Sequence, residues 1–476
     1  MKHGAQFSIP LLIDARTDAL LLSKHVGNAA SPLSRRFPRP RLALSVFVSK
    51  EHALSTSKGV SSISAADAAA AEAAAHVPHE SLMRLFLRFL KFGFLAWGGP
   101  VAQIAMLRQE LVTEEKWVSP QHFNRVLAMY QVLPGPEATE LCVYFGMLAR
   151  GRIGGTLAGL AFVMPGFILM FILSWLYVRY GLERTGTFAV VFAAVQAAVA
   201  ALIVRAVHRI GGHVLADRWL WIIALVAAGA QLAGVHFAVT LIAGGIAYVL
   251  AKEGQTAVAG ALVAVCAAGL IGWLAYRGFQ LPLMGANIQE GVAQAPRSLW
   301  ELFVSGFKAG MLTFGGAYTV IPFLQEDAVA QGAWMTNAQF LDGLALSSLL
   351  PAPLIIFATF VGYLGGGAAG AVVLTIAIFL PAFAFTLLAH DPLERLVNQP
   401  RIREFLEGLT AAVVGLIAGT TIALMMVSLR SIPAVAIFIV ALAALFYFKS
   451  KLIIPMVVAG AALAGYALSF AGVGNL

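Results

Sequence analysis

Eight residues, Lys91, Gly93, Gly98, Gly99, Trp117, Phe123, Pro134 and Pro136, recur 217 positions later as Lys308, Gly310, Gly315, Gly316, Trp334, Phe340, Pro351 and Pro353. One offset shared by glycines, prolines and aromatics marks an internal duplication. The duplicated stretches are long and apolar, so the chain must house two related apolar units at once. Of its residues, 60% are hydrophobic and 12% charged, against about 25% charged in soluble domains. Lipid is the solvent that suits such a chain. Spans in lipid must satisfy their own backbone, so an all-α integral membrane protein is expected, of the class built from two related halves around a central site.

A net charge of +9 would point to nucleic acid in a soluble protein, but here the 32 Lys and Arg lie mainly between apolar spans and in the leading tail. Orientation in the membrane is the better reading, and no nucleic-acid partner is expected. Cys142 and Cys266 both sit inside apolar spans, which leaves no disulfide framework or metal cluster. There is no HExxH, no GxSxG and no His cluster in a span, so neither an enzyme nor a cofactor is expected.

Residues 1–80 stand apart, richest in Ala and Ser and punctuated by Arg and Pro, with 65–75 nearly all Ala. Such a composition reads as a disordered N-terminal tail. Apolar segments follow near 85–107, 126–148, 154–179, 187–206, 219–235 and 236–252, then 257–276, then 302–323, 340–363, 367–389, 407–429, 432–448 and 452–472. This gives a first six-segment repeat over 85–252, a linking transmembrane helix over 257–276 and a second repeat over 302–472. A span needs about 20 residues, which makes 219–235 and 236–252 marginal and allows a re-entrant hairpin there. An even number of crossings per half plus one linking helix turns the second half over, so the repeat is expected to be inverted. Lys and Arg between the spans favour an N-terminus inside by thirteen to eight, with Arg205 and Arg209 counted among the interfacial charges.

The run Leu133-Pro134-Gly135-Pro136-Glu137-Ala138 lies in the middle of an apolar span. Its two prolines remove backbone donors and forbid a continuous helix. Broken backbone at membrane depth persists only where it is buried in protein or lines a wet cavity. A half-helix starting after Pro136 would aim its free N–H groups there, which suits an anion. The second half offers Pro351-Ala352-Pro353 for the same purpose, and the plainer alternative is a pair of packing kinks. Gly98-Gly99 and Gly315-Gly316 permit a sharp turn or close backbone approach in the first span of each half.

Lys91 and Lys308 lie about two turns into their spans, where each could snorkel to the interface or, in an inverted repeat, reach the site from opposite faces. Glu137 and Glu140 share one helix face, and Glu137 reads equally as a functional carboxylate or as a helix-start group. Arg108, Arg125 and Glu137 map onto Gln325, Asp342 and Leu354, so ionisable groups are concentrated in the first half. Arg108, Lys116 and Arg125, interleaved with Glu110, Glu114 and Glu115, read as a solvated loop.

At these residues the chain resembles the chromate ion transporter family in its long form with two fused homologous halves. The matching stretches are Phe92-Gly93 through Trp97-Gly98-Gly99-Pro100-Val101-Ala102-Gln103-Ile104-Ala105-Met106, Trp117, and Leu133 to Ala138, joined in the second half by Phe314-Gly315-Gly316 and Pro351-Ala352-Pro353-Leu354. Ala352 stands where glycine is expected in the second-half motif. The resemblance covers about 85–472 and implies export of chromate, a tetrahedral dianion resembling sulfate, across the bacterial inner membrane, with chromate resistance as the outcome. The substrate-binding set expected from the motifs is Lys91, Gly98, Gly99, Pro134, Gly135, Pro136, Glu137, Lys308, Gly315, Gly316, Pro351, Ala352 and Pro353. Electrogenic alternating access is the expected mechanism. The alternatives are transport of sulfate or another oxyanion, by uptake or with a proton, and an oxyanion channel. The expected partners are the oxyanion and membrane lipid, and a homodimer is compatible with the sequence.

Overall fold

Prolines and paired glycines decide where the helices of this chain start, stop and fold back. The structure, a computed structural model, describes residues 77–181, 186–276, 297–314, 316–390, 392, 399–448, 450 and 452–470. The tail expected over 1–80 lies outside the described residues apart from 77–80, and Gly315 lies outside them too. Glu80, counted with that tail, belongs to the folded part, where it pairs with Arg88 at 2.5 Å.

The first half opens with α1 (Leu82–Phe94), capped by Ser81, and α2 (Pro100–Leu107), which continues into a π-helical turn over Arg108–Glu114. Gly98 (φ 92°) and Gly99 (φ 81°, ψ −175°) turn the chain between them. At 1.5 Å per residue α1 rises about 20 Å, short of the roughly 30 Å of a bilayer core. The apolar segment 85–107 is therefore two short helices about a glycine turn. Next come α3 (Pro120–Tyr130), the irregular stretch 131–136, and α4 (Glu137–Tyr180).

Helix α4 is not one rod. Arg150 (φ −145°, ψ 31°) and Gly151 (φ 61°, ψ −158°) leave helical geometry. A Cβ on Gly146 would meet Ala158 at 2.5 Å, and one on Gly159 would meet Val143 at 2.5 Å. Contacts that pair 146 with 158 and 143 with 159 make 137–149 and 152–180 antiparallel arms of a tight hairpin. Then follow α5 (Gly186–Val214), α6 (Arg218–Leu232), α7 (Phe237–Lys252) and α8 (Thr256–Tyr276).

The second half repeats the plan. It comprises α9 (Leu299–Met311), a 3₁₀ turn over Ala317–Val320, α10 (Ile321–Gln325) with a π-helical turn over Glu326–Gln331, and α11 (Asn337–Ser348). A 3₁₀ turn over Leu354–Phe357 leads into α12 (Ala358–Leu388), followed by α13 (Pro400–Ser428), α14 (Ile432–Tyr447) and α15 (Ile453–Phe470). Helix α12 folds back at Gly366–Gly367, where a Cβ on Gly362 would meet the Gly370 carbonyl at 2.4 Å. Six of the described helical stretches are long and apolar enough to cross a membrane. No strand occurs among the described residues.

Corresponding packing recurs in both halves. Along α1, Leu85 neighbours Gly154 and Gly93 neighbours Phe162, so α1 runs parallel to the arm 152–180. Along α9, Leu302 neighbours Gly370 and Gly310 neighbours Ile378, which is the same arrangement. Between the halves, Gly155 meets Leu387 and Gly159 meets Phe383, so the equivalent long arms lie antiparallel. The halves also interleave. Helices α6 and α7 pack on α13 of the second half, while α14 and α15 pack on α5 of the first.

Candidate functional site

A cavity of about 430 Å³ lies where the halves meet. Its wall is built from chain breaks: Pro100 and Val101 at the start of α2, Gln131 and Val132 beyond α3, Glu137 at the start of α4, and Gly316 with Tyr318 in the second-half turn. Arg209 and His213 from α5, Tyr248 from α7, and Glu407 with Thr410 from α13 complete it. A second, smaller void shares Arg209 and Tyr318 and adds Gly98, Arg205 and Ser450. The Gly98 turn of one half and the Gly316 turn of the other thus both border spaces lined by Arg209, and the Gly98 turn shares its space with Arg205 as well.

The glycine turns and proline breaks set this geometry in different ways. A Cβ on Gly99 or Gly316 would meet nothing within 4 Å, so these positions are glycine for their backbone angles. Gly135 is enclosed: its N–H donates to the Thr313 carbonyl at 2.8 Å, and a Cβ there would strike Glu140 Oε1 at 2.6 Å. The break of the first half is thereby fastened to the chain just before the second-half glycine turn. Pro134, Gly135 and Pro136 are buried, and Pro136 is the N-cap of α4. Its position leaves Glu137 at the cavity wall, where the first residues of α2, Pro100 and Val101, also lie. Aligned peptide dipoles there favour an anion.

The second-half break is placed otherwise. Pro351, Ala352 and Pro353 are buried, and Ala352 sits against Gly166, whose added Cβ would lie 2.4 Å from the Ala352 Cβ. The larger side chain at 352 matches the absent one at 166 in a close contact between halves. These three residues do not line the cavity, and Leu354, the counterpart of Glu137, is buried in the core.

Of the lysines, neither lines either void. Lys91 Nζ lies 3.2 Å from Glu110, and its side chain is 58% exposed. Lys308 pairs with Asp327, which also accepts a 2.7 Å hydrogen bond from Ser305, and its ammonium sits 5.1 Å from the Phe237 ring. Each pair spans nineteen residues, from the first helix of its half to the π-helical turn, so the ammonium closes the hairpin around the glycine turn.

Arg205 and Arg209 are the cations sequence reasoning placed at the interface instead. They stand one turn apart on α5, and among the described residues neither guanidinium has a carboxylate within ion-pair distance. The signal was present: Arg205-x-x-x-Arg209 follows an apolar run, and no acid occurs between Glu183 and Asp217. Glu140 lies one turn inside Glu137, fully buried, with both carboxyl oxygens lacking a hydrogen-bond partner among the described residues. Arg108 and Arg125 are exposed and line neither void, but they sit in the π-helical turn and in α3 rather than in the loop expected there. Beside the cavity residue Tyr248, Lys252 Nζ lies 3.0 Å from Asp217, and the Tyr248 hydroxyl donates to the same carboxylate at 2.9 Å.

Comparison with known proteins bears on what such a cavity carries. The sequence matches the family described as chromate transporter over residues 83–273 and 300–466. A chromate transport protein of Pseudomonas aeruginosa is 55% identical over 394 residues, which are 82% of this chain and 93% of that protein. A chromate transport protein of Cupriavidus metallidurans is 33% identical over 397 residues, 82% of this chain and 93% of the relative. A probable chromate transport protein of Synechococcus elongatus is 33% identical over 394 residues, 82% of this chain and 96% of the relative. No solved structure matches the chain.

Proposed function

The chain belongs to the chromate transporter family, and on that premise we propose that it exports chromate across the bacterial inner membrane by electrogenic alternating access, conferring chromate resistance. It is a multi-pass membrane protein and a transporter rather than an enzyme. The observation that carries the reading is Arg209: a guanidinium with no carboxylate within ion-pair distance among the described residues, in a cavity lined by both halves and shared with Glu137 and the first residues of α2. A cation held in an apolar bundle is costly unless an anion joins it.

Export needs no coupled proton. A dianion leaving a negative interior gains about 2.3 kcal/mol per charge per 100 mV, so about 4.6 kcal/mol, or roughly a 2,000-fold gradient. A proton bound beside the dianion would travel with it, and that coupling suits uptake. Glu137 then acts as a structural or gating group at the start of α4. Antiparallel packing of the equivalent arms supports halves inverted across the membrane. Such halves can open the shared site to either side in turn.

The test is chromate accumulation in a sensitive bacterial host producing the full chain, with and without Arg209→Gln and with excess sulfate. Accumulation below that of the empty host, restored to the host level by Arg209→Gln, is the expected result. Unchanged or higher accumulation with the wild-type chain moves the assignment to another oxyanion or to uptake. Counterflow in proteoliposomes without a pH gradient is expected to proceed, and its failure would overturn the proton-independent mechanism.

A further inference from the structure

Arg205 and Arg209 share one space but not the other. Arg209 lines both the large cavity and the smaller void of about 50 Å³, whereas Arg205 lines only the smaller one, a turn further from the α5 end at Val214. Tyr318, largely buried, forms part of the wall of each. Gly98 borders the small void, with the exposed Ser450 at its edge.

We infer that the small void is a tight oxyanion station, distinct from the large cavity and selective for tetrahedral dianions that carry no proton. The inference rests on the oxyanion-transporter reading and adds to it a second site and a substrate class. Size is the first argument. One water requires roughly 10–15 Å³ on the same measure, so the void has room for about four water-sized groups. That is a tetrahedral oxyanion stripped of its hydration shell. The large cavity has room for an anion that keeps its waters.

Charge is the second argument. Two guanidiniums facing one dianion make a neutral ensemble, the form a low-dielectric bundle tolerates. Chemistry of the lining is the third. Among the described residues the small void is lined by two arginines and the hydroxyl-bearing Tyr318 and Ser450, and by no acidic residue, while Glu137 and Glu407 line the large cavity only. Chromate, sulfate and molybdate offer acceptors alone and match those donors. Hydrogen phosphate must also place its own O–H, which no guanidinium can accept, so one of the two hydroxyls would have to turn from donor to acceptor and the anion would lose that contact. The anion therefore passes from the large cavity to the station along Arg209, which belongs to both, and Arg205 completes the inner site.

The experiment uses the full chain purified in detergent and measures binding of radiolabelled sulfate, with displacement by chromate, molybdate and phosphate. Wild-type protein is expected to bind sulfate, to release it to chromate and molybdate, and to need at least about tenfold more phosphate for the same displacement. Arg205→Gln and Arg209→Gln are each expected to weaken sulfate binding by about tenfold or more, as loss of a charge-assisted contact does. Arg205→Lys should recover part of that loss, and a wild-type elution profile on size exclusion identifies folded variants. Wild-type affinity in folded Arg205→Gln protein overturns the station, and so does wild-type protein that binds neither sulfate nor chromate. Phosphate displacing as well as chromate overturns the selectivity. Binding does not depend on transport direction. A station that behaves as expected in a chain that fails to lower chromate in cells leaves the inference standing and removes the export reading. Export with unchanged half-saturation in Arg205→Gln does the reverse.

Discussion

An ammonium or guanidinium below the surface of a membrane protein needs a counter-charge, and the cations of this molecule divide by where they find it. Arg88 is held by Glu80, Glu110 and Glu115, with Trp117 at 5.6 Å, and Lys91 and Lys308 by Glu110 and Asp327. Arg205 and Arg209 have no such partner among the described residues and line the voids. Lys91→Ala is thus expected to leave the half-saturating chromate concentration within about twofold and to cost at most about 1 kcal/mol of stability, as exposed ion pairs do. Lys308→Ala should cost more, about 1–3 kcal/mol, because it strands a mostly buried Asp327 with Ser305 as its remaining side-chain partner. Transport kinetics and thermal unfolding of the purified variants check both. The sequence showed that Lys91 and Lys308 are equivalent, but their partners come from nineteen residues away across a turn, which spacing within one helix does not reveal. The arginine pair was hidden for a different reason: positive charge near the end of an apolar run is ordinarily an interfacial anchor, and only the fold shows both residues turned inward.

At the scale of elements, the glycines separate into those needed for backbone angles and those needed for close packing. A Cβ on Gly310 would stand 2.3 Å from the Ile378 carbonyl oxygen, and one on Gly93 2.6 Å from that of Phe162. Gly310→Ala and Gly93→Ala must push α9 and α1 off their long arms, costing about 1–3 kcal/mol each. Gly99→Ala meets open space, so its penalty is the strain of its φ and ψ, about 1–3 kcal/mol. The distinction is measurable: the packing variants should lower the unfolding temperature and disturb the hairpins, while Gly99→Ala should reduce oxyanion binding at a similar loss of stability. Asp217 joins two further elements, capping α6 through the N–H groups of Trp219 and Leu220 and holding Lys252 and Tyr248 of α7. Burial alone would raise its carboxyl, but hydrogen bonds from Lys252, the Leu220 N–H and Tyr248 outweigh it and hold the group below the ordinary aspartate range. A depressed carboxyl contributes stability above its unfolded value, near pH 4, and loses it as pH falls through the lower folded value. Wild-type protein should therefore lose stability on acidification below about pH 4 more steeply than Asp217→Asn. The break at Pro134–Pro136 was legible because two prolines two residues apart remove two backbone donors from the same turn, which a continuous helix cannot absorb. The hairpin turns at Arg150–Gly151 and Gly366–Gly367 were visible only as gaps between apolar segments, since nothing local says that the two arms touch.

For the whole molecule, the duplication is the feature that sequence exposes most fully, and interleaving is what it conceals. Parity of the spans leads to inversion, and antiparallel equivalent arms are what an inverted pair would present. Parity says nothing about which half covers which helix. Each half lends a pair of helices to the other: α6 and α7 lie on α13, and α14 and α15 on α5. Gly415 is packed against the Ala224 carbonyl and Gly465 against Val190 and Ala194, with no room for a side chain at either place. A half expressed alone would leave its long helix uncovered along the face its partner occupies, and its own helix pair without a platform. Helices within lipid associate by close backbone packing, and losing it removes the main attraction available to them. The site has the same dependence, since Arg209 and Glu137 come from the first half and Gly316, Tyr318 and Glu407 from the second. Chains cut between 277 and 296, outside the described helices, should therefore be degraded when made singly, but should copurify and restore sulfate binding when made together. Stable, separately folded halves that bind the anion on their own would refute the interleaved arrangement and place a complete site within one repeat.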